Sequence, residues 1–473
     1  MTRVSENVIP RAGGGVLVRR MVEIEVPAGT SMLEVETLMQ KALMQTGAGM
    51  VEEFLHAYDL PMDSLERMGR KWTRKLTPEP RVVESTFGAV TISRWAYQTS
   101  SGGQCFYPLD EKMDLTASAT PKFAKSLTFK MAHLPAATVC EDLEENHDRK
   151  VSVHFVQAVT DLIGAIALEV QPSPDTATLP KPEEVALIAI GVDGAMVQIT
   201  VPPAQQEQDE SAPGPGGNDA GAREIPPAPQ DQRKGRRLEW RNAMVGTIAF
   251  FNKEGDRLGT TYTGAAPPEH SGDGKEDFWF LMEREIATVK ALYPKAQYHG
   301  ISDGAHDFIP FLTKHTDKLT LDFWHGAGYL STAAGSMVEA GKGQAARQHQ
   351  WLTKACSQLK HEDGAAGTLL RAMEKRRRHA TLGEAAQERL DKAITYFQNN
   401  LFRMDYAERV RQHQPIGSGV TEAACGLIIK DRMSNLRWSL RTAQHIITLR
   451  SIIKTTGNCW ENFWKLAFNS PVT

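Results

Sequence analysis

The chain has 473 residues, with 54 Lys and Arg against 57 Asp and Glu, enough length for two to four domains at about 150 residues each. A hydrophobic content of 41% excludes a largely disordered protein, no apolar run reaches the roughly 18 residues of a bilayer span, and the first twenty residues lack a signal-peptide pattern, so no membrane partner is expected. Cys105, Cys140, Cys356, Cys425 and Cys459 are scattered, which disfavours a disulfide framework or thiolate zinc site and fits a cytoplasmic protein; the formal charge of -3 offers no overall attraction to nucleic acid, so such a partner must be read from local charge.

Residues 32–57 carry the apolar period of a helix. Pro80 to Asp110 alternates like antiparallel strands around Gly88 and Gly102-Gly103. Thr120 to Leu168 predicts three helices, the second begun by Pro135 and the third by Ser152 as N-cap, after a break at Asn146-His147-Asp148. Val153, Val156, Val159 and Ile163 form the buried stripe of the third. These patterns give an N-terminal α+β region over 1–115 and a helix-turn-helix-like module over 116–178; a plain helical bundle has the same spacing.

From 179 onward the pattern changes. Glu184 to Thr200 reads as an apolar run, a break at Gly191-Val192-Asp193-Gly194, and a second β-rich run. Residues 202–232 hold seven Pro and four Gly and predict a disordered insertion loop. Arg241 to Gly264 gives two strands around Asn252-Lys253-Glu254-Gly255. Glu276 to Ala291 is helical; Ala296 to Leu312 is a strand ending at Ser302-Asp303-Gly304 and then a short helix; Lys318 to Ala334 repeats strand and helix. The expected sheet is mixed, three antiparallel strands followed by two in β-α-β-α order, spanning 179–334. Residues 335–412 predict a helical insertion, and 413–473 close the chain with further helices.

Three acids stand where strand-end chemistry would use them. Asp193 lies in the Gly-Val-Asp-Gly break, Asp303 just past a strand, and Glu422 in the first turn of the helix after Pro415-Ile-Gly-Ser-Gly419. Three carboxylates on separate elements suffice to hold a pair of hard divalent cations for in-line phosphoryl displacement. Singly, each has an ordinary explanation: two Gly-flanked turn aspartates, and a glutamate complementing a helix dipole.

The segments GVDGAMV (Asp193), ISDGAHDFI (Asp303), DFWH (Asp322 to His325), PIGSGVTEAAC (Glu422) and RMSNLRWSLRTAQHIITLRS (Arg432 to Ser451) together resemble bacterial insertion-sequence transposases of the DDE type, most nearly the ISKra-like group. The likeness covers roughly 184–465 and extends weakly to TFGAVTISRWAY (Thr86 to Tyr97). It implies an α/β catalytic core of RNase H-like fold, a mixed five-stranded sheet with helices, interrupted by an all-α insertion. It implies Asp193, Asp303 and Glu422 as catalytic metal ligands for Mg²⁺, with Mn²⁺ as substitute, in a two-metal mechanism that cleaves element ends and joins the 3′-hydroxyl to target DNA. His325 would touch the scissile phosphate or cap its own helix. The chain departs from the family pattern at Gly326-Ala327-Gly328, which follows that histidine.

Local charge then supplies a DNA surface. Lys430, Arg432, Arg437 and Arg441 are interleaved with Trp438, a combination suited to phosphate contact and base stacking. Arg450, Lys454 and His445 continue the segment, and further basic runs lie at Arg233 to Arg237 and, with Arg371, at Lys375 to Arg378. Trp351 in the insertion could stack on an unpaired base or pack in a core. The expected partner is double-stranded DNA, as element terminal inverted repeats and target, bound by a homodimer or higher oligomer in the bacterial cytoplasm near the nucleoid. Two rivals share the sequence: an RNase H-like structure-selective nuclease, and a catalytically silent DNA-binding protein derived from a transposase.

Overall fold

The computed structural model describes residues 3–10, 16–172, 174, 177–201, 237–269, 275–434 and 436–468. The expected insertion loop at 202–232 lies outside them. Two compact units result, one of residues 1–173 with 460–473 and one of 174–459.

The first unit begins with an antiparallel hairpin, β1 (Arg3–Pro10) and β2 (Val16–Glu23), which has no counterpart in the sequence reading. A helix over Met32–Tyr58 starts at a capping box in which Ser31 accepts from the Glu34 amide and the Glu34 side chain accepts from Ser31 N–H. Strands β3 (Ser64–Arg67), β4 (Arg70–Arg74), β7 (Tyr97–Thr99) and β8 (Gly102–Phe106) make one sheet, and β5 (Glu79–Glu84) and β6 (Ala89–Arg94) a separate hairpin. Every second residue of β6 is buried, which sets Val90 and Ile92 into a cluster with Leu55, Val83, Leu109 and Met113.

The three expected helices follow as Pro121–His133, Ala136–His147 and Val153–Val170. Asp148, at φ 50°, ends the second in the left-handed region, and Ser152 Oγ accepts from Phe155 N–H at 3.1 Å to start the third. Val156, Val159 and Ile163 are fully buried as expected. Val153 is not: it is 41% exposed, because as the first helical residue it lies a turn outside the stripe. By length and composition this last helix could cross a bilayer, contrary to the expectation that no segment is long and apolar enough; its stripe instead packs on the helix at Pro121–His133. It carries no Lys or Arg, whereas Asp161 and Glu169 lie along it, so a recognition helix for DNA phosphates is poorly served here. The helix over Cys459–Ala467 contributes its residues from Trp460 onward to this unit, where Lys125 pairs with Glu461 at 2.6 Å.

The second unit is built on β9 (Leu187–Val201), β10 (Arg237–Phe251), β11 (Arg257–Ala265), β12 (Gln297–Ser302), β13 (Lys318–Leu321) and the two-residue β14 (Arg437–Trp438). The order is β11-β10-β9-β12-β13, with β9, β10 and β11 antiparallel and β9, β12 and β13 parallel. This is the mixed sheet anticipated from the alternation of elements. One detail differs: β9 runs unbroken through Gly191-Val192-Asp193-Gly194, and no turn forms there. Those glycines answer close neighbours instead of a bend. A Cβ on Gly191 would lie 2.0 Å from Thr421 Oγ1, and one on Gly194 2.4 Å from Asn242 Oδ1.

The period of two along β9 sorts the layers. Ile188, Ile190 and Val192 face a cluster shared with Phe278, Met282, Ile286 and Val289 of the helix Glu276–Leu292. Ala195, Val197 and Ile199 face the C-terminal helices through Cys425, Ile428, Ile446 and Ile447. The insertion forms helices Gln344–His361, Ala365–His379 and Glu384–Asn400. They share one core with the helix Phe323–Met337, joining Leu330 and Ala333 to Leu359, Leu369, Met373, Leu390 and Phe397.

Candidate metal and DNA site

Strand register sets three acids side by side. Gly191 of β9 pairs with Ile301 of β12, so two residues further along each strand stand Asp193 and Asp303. Ser302 of β12 pairs with Leu321 of β13, which puts Asp322 next in the row. All three lie at the C-terminal edge of the parallel strands, where open sheets gather ligands. On that side β12 covers β9 as far as Gly191 and β14 pairs only at Gln198 and Ile199, which leaves the stretch around Asp193 uncovered by a strand.

The fourth acid arrives on a helix, Gly419–Ala424. Thr421 fits the notch left by Gly191 and its hydroxyl hydrogen-bonds that of Thr247 at 2.8 Å. This contact docks the helix on β9 and β10. Cys425, one helical turn on, donates its thiol to Asp193 Oδ2 at 3.3 Å. The backbone then widens into a π-turn over Cys425–Lys430, a distortion common near functional sites. Arg450 supplies the donors that this wider turn needs: its Nε lies 3.1 Å from the carbonyl oxygen of Leu427 and 3.0 Å from that of Ile428.

Asp193 is held above its usual carboxylate range, first by burial and further by the like charge of Asp303; the amide of Gly194, the thiol of Cys425 and the charge of Lys430 act against this. Asp303 Oδ1 accepts from Ala305 N–H at 2.9 Å. Behind it, fully buried Arg403 donates to Ser302 Oγ at 3.0 Å and to Asn400 Oδ1, so the end of the insertion braces the strand end that carries Asp303.

Asp322 is 1% exposed and caps the helix Phe323–Met337. Its Oδ1 accepts from His325 N–H at 2.9 Å and faces His325 Nδ1 at 3.2 Å; its Oδ2 accepts from the backbone N–H and hydroxyl of Ser418. Burial alone would raise this carboxyl, yet the donors from His325 and Ser418 bring it down to about 2. His325 is raised, first by the Asp322 hydrogen bond, against burial, with Asp303 and Glu422 adding to the effect. Ser418 Oγ also lies 2.9 Å from Glu422 Oε1. A hydroxyl has one proton, so Ser418 serves one of the two carboxylates at a time while its backbone keeps hold of Asp322.

Among the described residues, ligand atoms of Asp322, His325 and Glu422 all lie within 4.8 Å of one another, so this group could hold a metal ion. Asp193 and Asp303 stand outside that trio, along the same strand edge. Both oxygens of Asp322 are already engaged by His325 and Ser418, which makes it the carboxylate that orients His325 more than a ligand in its own right. Glu422 and half-exposed His325 keep the freer atoms. An accumulation of carboxylates with one of them raised by burial and by its neighbour is the donor chemistry a hard divalent cation would relieve.

The expected DNA-contact residues divide. His325, Lys430, Arg437 and Arg441 are exposed. Arg432 and Trp438 are corrected: they are 5% and 6% exposed, the guanidinium lies 4.7 Å from the indole centroid, and the indole Nε1 donates to the Met433 carbonyl. Both belong to the core beneath the Glu422 segment, because β14 turns that stretch in beside β9. Arg450 and His445 are also buried. Trp351 is partly buried against the insertion core, and in the 375–378 run Arg376 donates to the carbonyls of Ser336 and Val338 while Arg377 pairs with Asp391.

Asp322 entered the sequence reading only as the first residue of the DFWH segment, with no role of its own, and Ser418 only within PIGSGVTEAAC; an aspartate at a helix start is a capping signal that could have given Asp322 its role. Arg403 had no such signal, since its partner Ser302 is 101 residues away. No protein-family model and no curated protein matches this chain.

Proposed function

We propose that the chain is a DDE-type DNA transposase with an RNase H-like core, which cleaves the ends of an insertion-sequence element and joins the freed 3′-hydroxyls to target DNA. One observation carries this reading: β9 and β12 run parallel in the register that sets Asp193 beside Asp303, with the Glu422 helix docked on the same strand through Gly191 and Thr421. The helical insertion between the β13 segment and the Glu422 helix, and the exposed cations Lys430, Arg437 and Arg441, support it.

Asp193, Asp303 and Glu422 would hold Mg²⁺ or Mn²⁺, with His325 beside them. When bound, such ions supply the Lewis acidity that activates a water for attack at phosphorus and stabilises the departing 3′-oxygen. The protein's own part is placement. Asp193 and Asp303 keep two carboxylates at one strand edge, Ser418 fixes the start of the Glu422 helix against Asp322, and Asp322 aims the imidazole of His325 by holding its Nδ1 side. His325 is then positioned to donate a hydrogen bond to a non-bridging phosphate oxygen. In the second step the 3′-hydroxyl replaces water as nucleophile: one P–O bond forms, another breaks, and the number of phosphodiester bonds is unchanged.

Asp303→Asn tests this reading. With Mg²⁺ or Mn²⁺ it is expected to lose strand cleavage and strand transfer of pre-cut ends while binding DNA as the parent does. Cleavage at the parent rate would overturn the assignment, and hydrolysis by the parent without strand transfer would make it a nuclease.

A further inference from the structure

Trp324 sits between Asp322 and His325 in the first turn of its helix, and of the nine tryptophans it alone is exposed, at 75%. One edge of its side chain is supported. Phe323 meets it edge-on with centroids 5.5 Å apart, and Gly417 lies so close that a methyl there would be 3.8 Å from Trp324 Cδ1 and 3.3 Å from Asp322 Oδ2. The indole therefore lies beside the Pro415–Gly419 loop that leads into the Glu422 helix and next to the Asp322–His325–Glu422 group. An aromatic left this open, beside a group of metal-ligand type and in a protein whose other tryptophans are buried or partly buried, has its bulk free for a ligand with a flat apolar face.

We propose that Trp324 is a stacking platform for one unpaired nucleobase of a DNA strand whose phosphate lies at the acid edge, an inference that rests on the transposase reading for the identity of the strand. A base inside a duplex has both faces covered by its neighbours, so only a base at a frayed end, in a single-stranded flank or turned out of the helix can offer its face to the indole. Stacking on an aromatic is tolerant of base identity, because every base has a π-face. The platform would thus select the state of the strand and leave the sequence to other contacts. Gly417 fits this role, because even a methyl there would crowd Asp322 Oδ2 at 3.3 Å while touching the indole at ordinary contact distance.

The test uses the full chain in the Asp303→Asn background, so that DNA persists, and measures the affinity of duplexes with identical paired sequence. One duplex carries a short thymine tail, one the same tail without bases, and one no tail. The parent is expected to prefer the thymine tail over the abasic one, and Trp324→Ala to reduce that preference by about 5- to 150-fold, the range for loss of one base–aromatic stack. Trp324→Phe should keep most of it. An unchanged preference in Trp324→Ala, equal affinity for tails with and without bases, or no DNA binding by the parent would overturn the platform. Failure of the two readings is separable. Asp303-dependent cleavage with no effect of Trp324 on tail preference sinks the platform alone. A Trp324-dependent tail preference in a chain that never cleaves with Mg²⁺ or Mn²⁺ supports the platform and sinks the transposase.

Discussion

The acid edge and the basic C-terminal segment of the sheet unit are both dense in charge, and the structure treats them in opposite ways. Asp303 and Asp322 follow the ends of two parallel strands and Asp193 lies on β9 just past its pairing with β12, so the sheet sets them in one row, and each is held by donors on one side. The cations from Lys430 to Lys454 come on a π-turn, a two-residue strand and a helix, where phase decides which of them faces out. Lys430, Arg437 and Arg441 face out, whereas Arg432 and Arg450 are enclosed and serve the fold. Parallel register gathers charge from distant parts of the sequence into one row; a folded-back helix divides it.

The sharpest way to break this contrast is at the acid edge. Glu422→Gln should take metal-dependent cleavage to background, as Asp303→Asn should, with circular dichroism and the salt dependence of DNA binding unchanged. A cleaving Glu422→Gln variant would place Glu422 among the structural residues. Next in size is Arg450→Ala, which strips the donors from the Leu427 and Ile428 carbonyls. Urea unfolding should show a loss of about 1–3 kcal/mol for each carbonyl left buried without a partner. Arg450 behaving as a DNA contact, with stability intact and binding weakened, would undo the distinction drawn here.

Asp322 provides the comparison from the anionic side. Its carboxyl lies at about 2 in the folded state, below the ordinary 3.8. The folded pKa is depressed, so its contribution is fully present above about pH 4 and is lost as the pH falls toward 2. That contribution is on the order of 2 kcal/mol. The difference between parent and Asp322→Asn in unfolding free energy should shrink over that window; a difference that stays constant from pH 5 to 2 would show that the carboxylate charge contributes nothing. The smallest expected change is at Arg441. Arg441→Ala should alter stability by less than about 0.5 kcal/mol while lowering the slope of log affinity against log salt by about 1.

The sheet order was legible because alternation of strand and helix patterns dictates parallel neighbours, and β9 to β13 obey that rule. Ser152 and Asp148 were legible for a local reason, since caps are decided by one or two side chains. The continuity of β9 was misread because glycine pairs serve two purposes, and only the approach of Thr421 and Asn242, 230 and 48 residues from their glycines, tells close packing from a turn. Trp438 was misread for the same kind of reason: its burial follows from β14 pairing with Gln198 and Ile199, a contact no window of sequence contains. For the site, the three expected acids stand out as single residues at glycine-flanked or helix-start positions, while the bracing of Asp322 by Ser418 and of Ser302 by Arg403 depends on partners 96 to 101 residues away.

The notch at Gly191 bears on how copies of such a chain lose function. Under the function proposed above, a survey for intact relatives would naturally score the acids. A copy with alanine at 191 would keep all of them and still be misassembled, because the new methyl would stand 2.0 Å from Thr421 Oγ1 and lift the helix that carries Glu422. The seating of the Glu422 helix therefore depends on a hydrogen atom that no inventory of charged residues records.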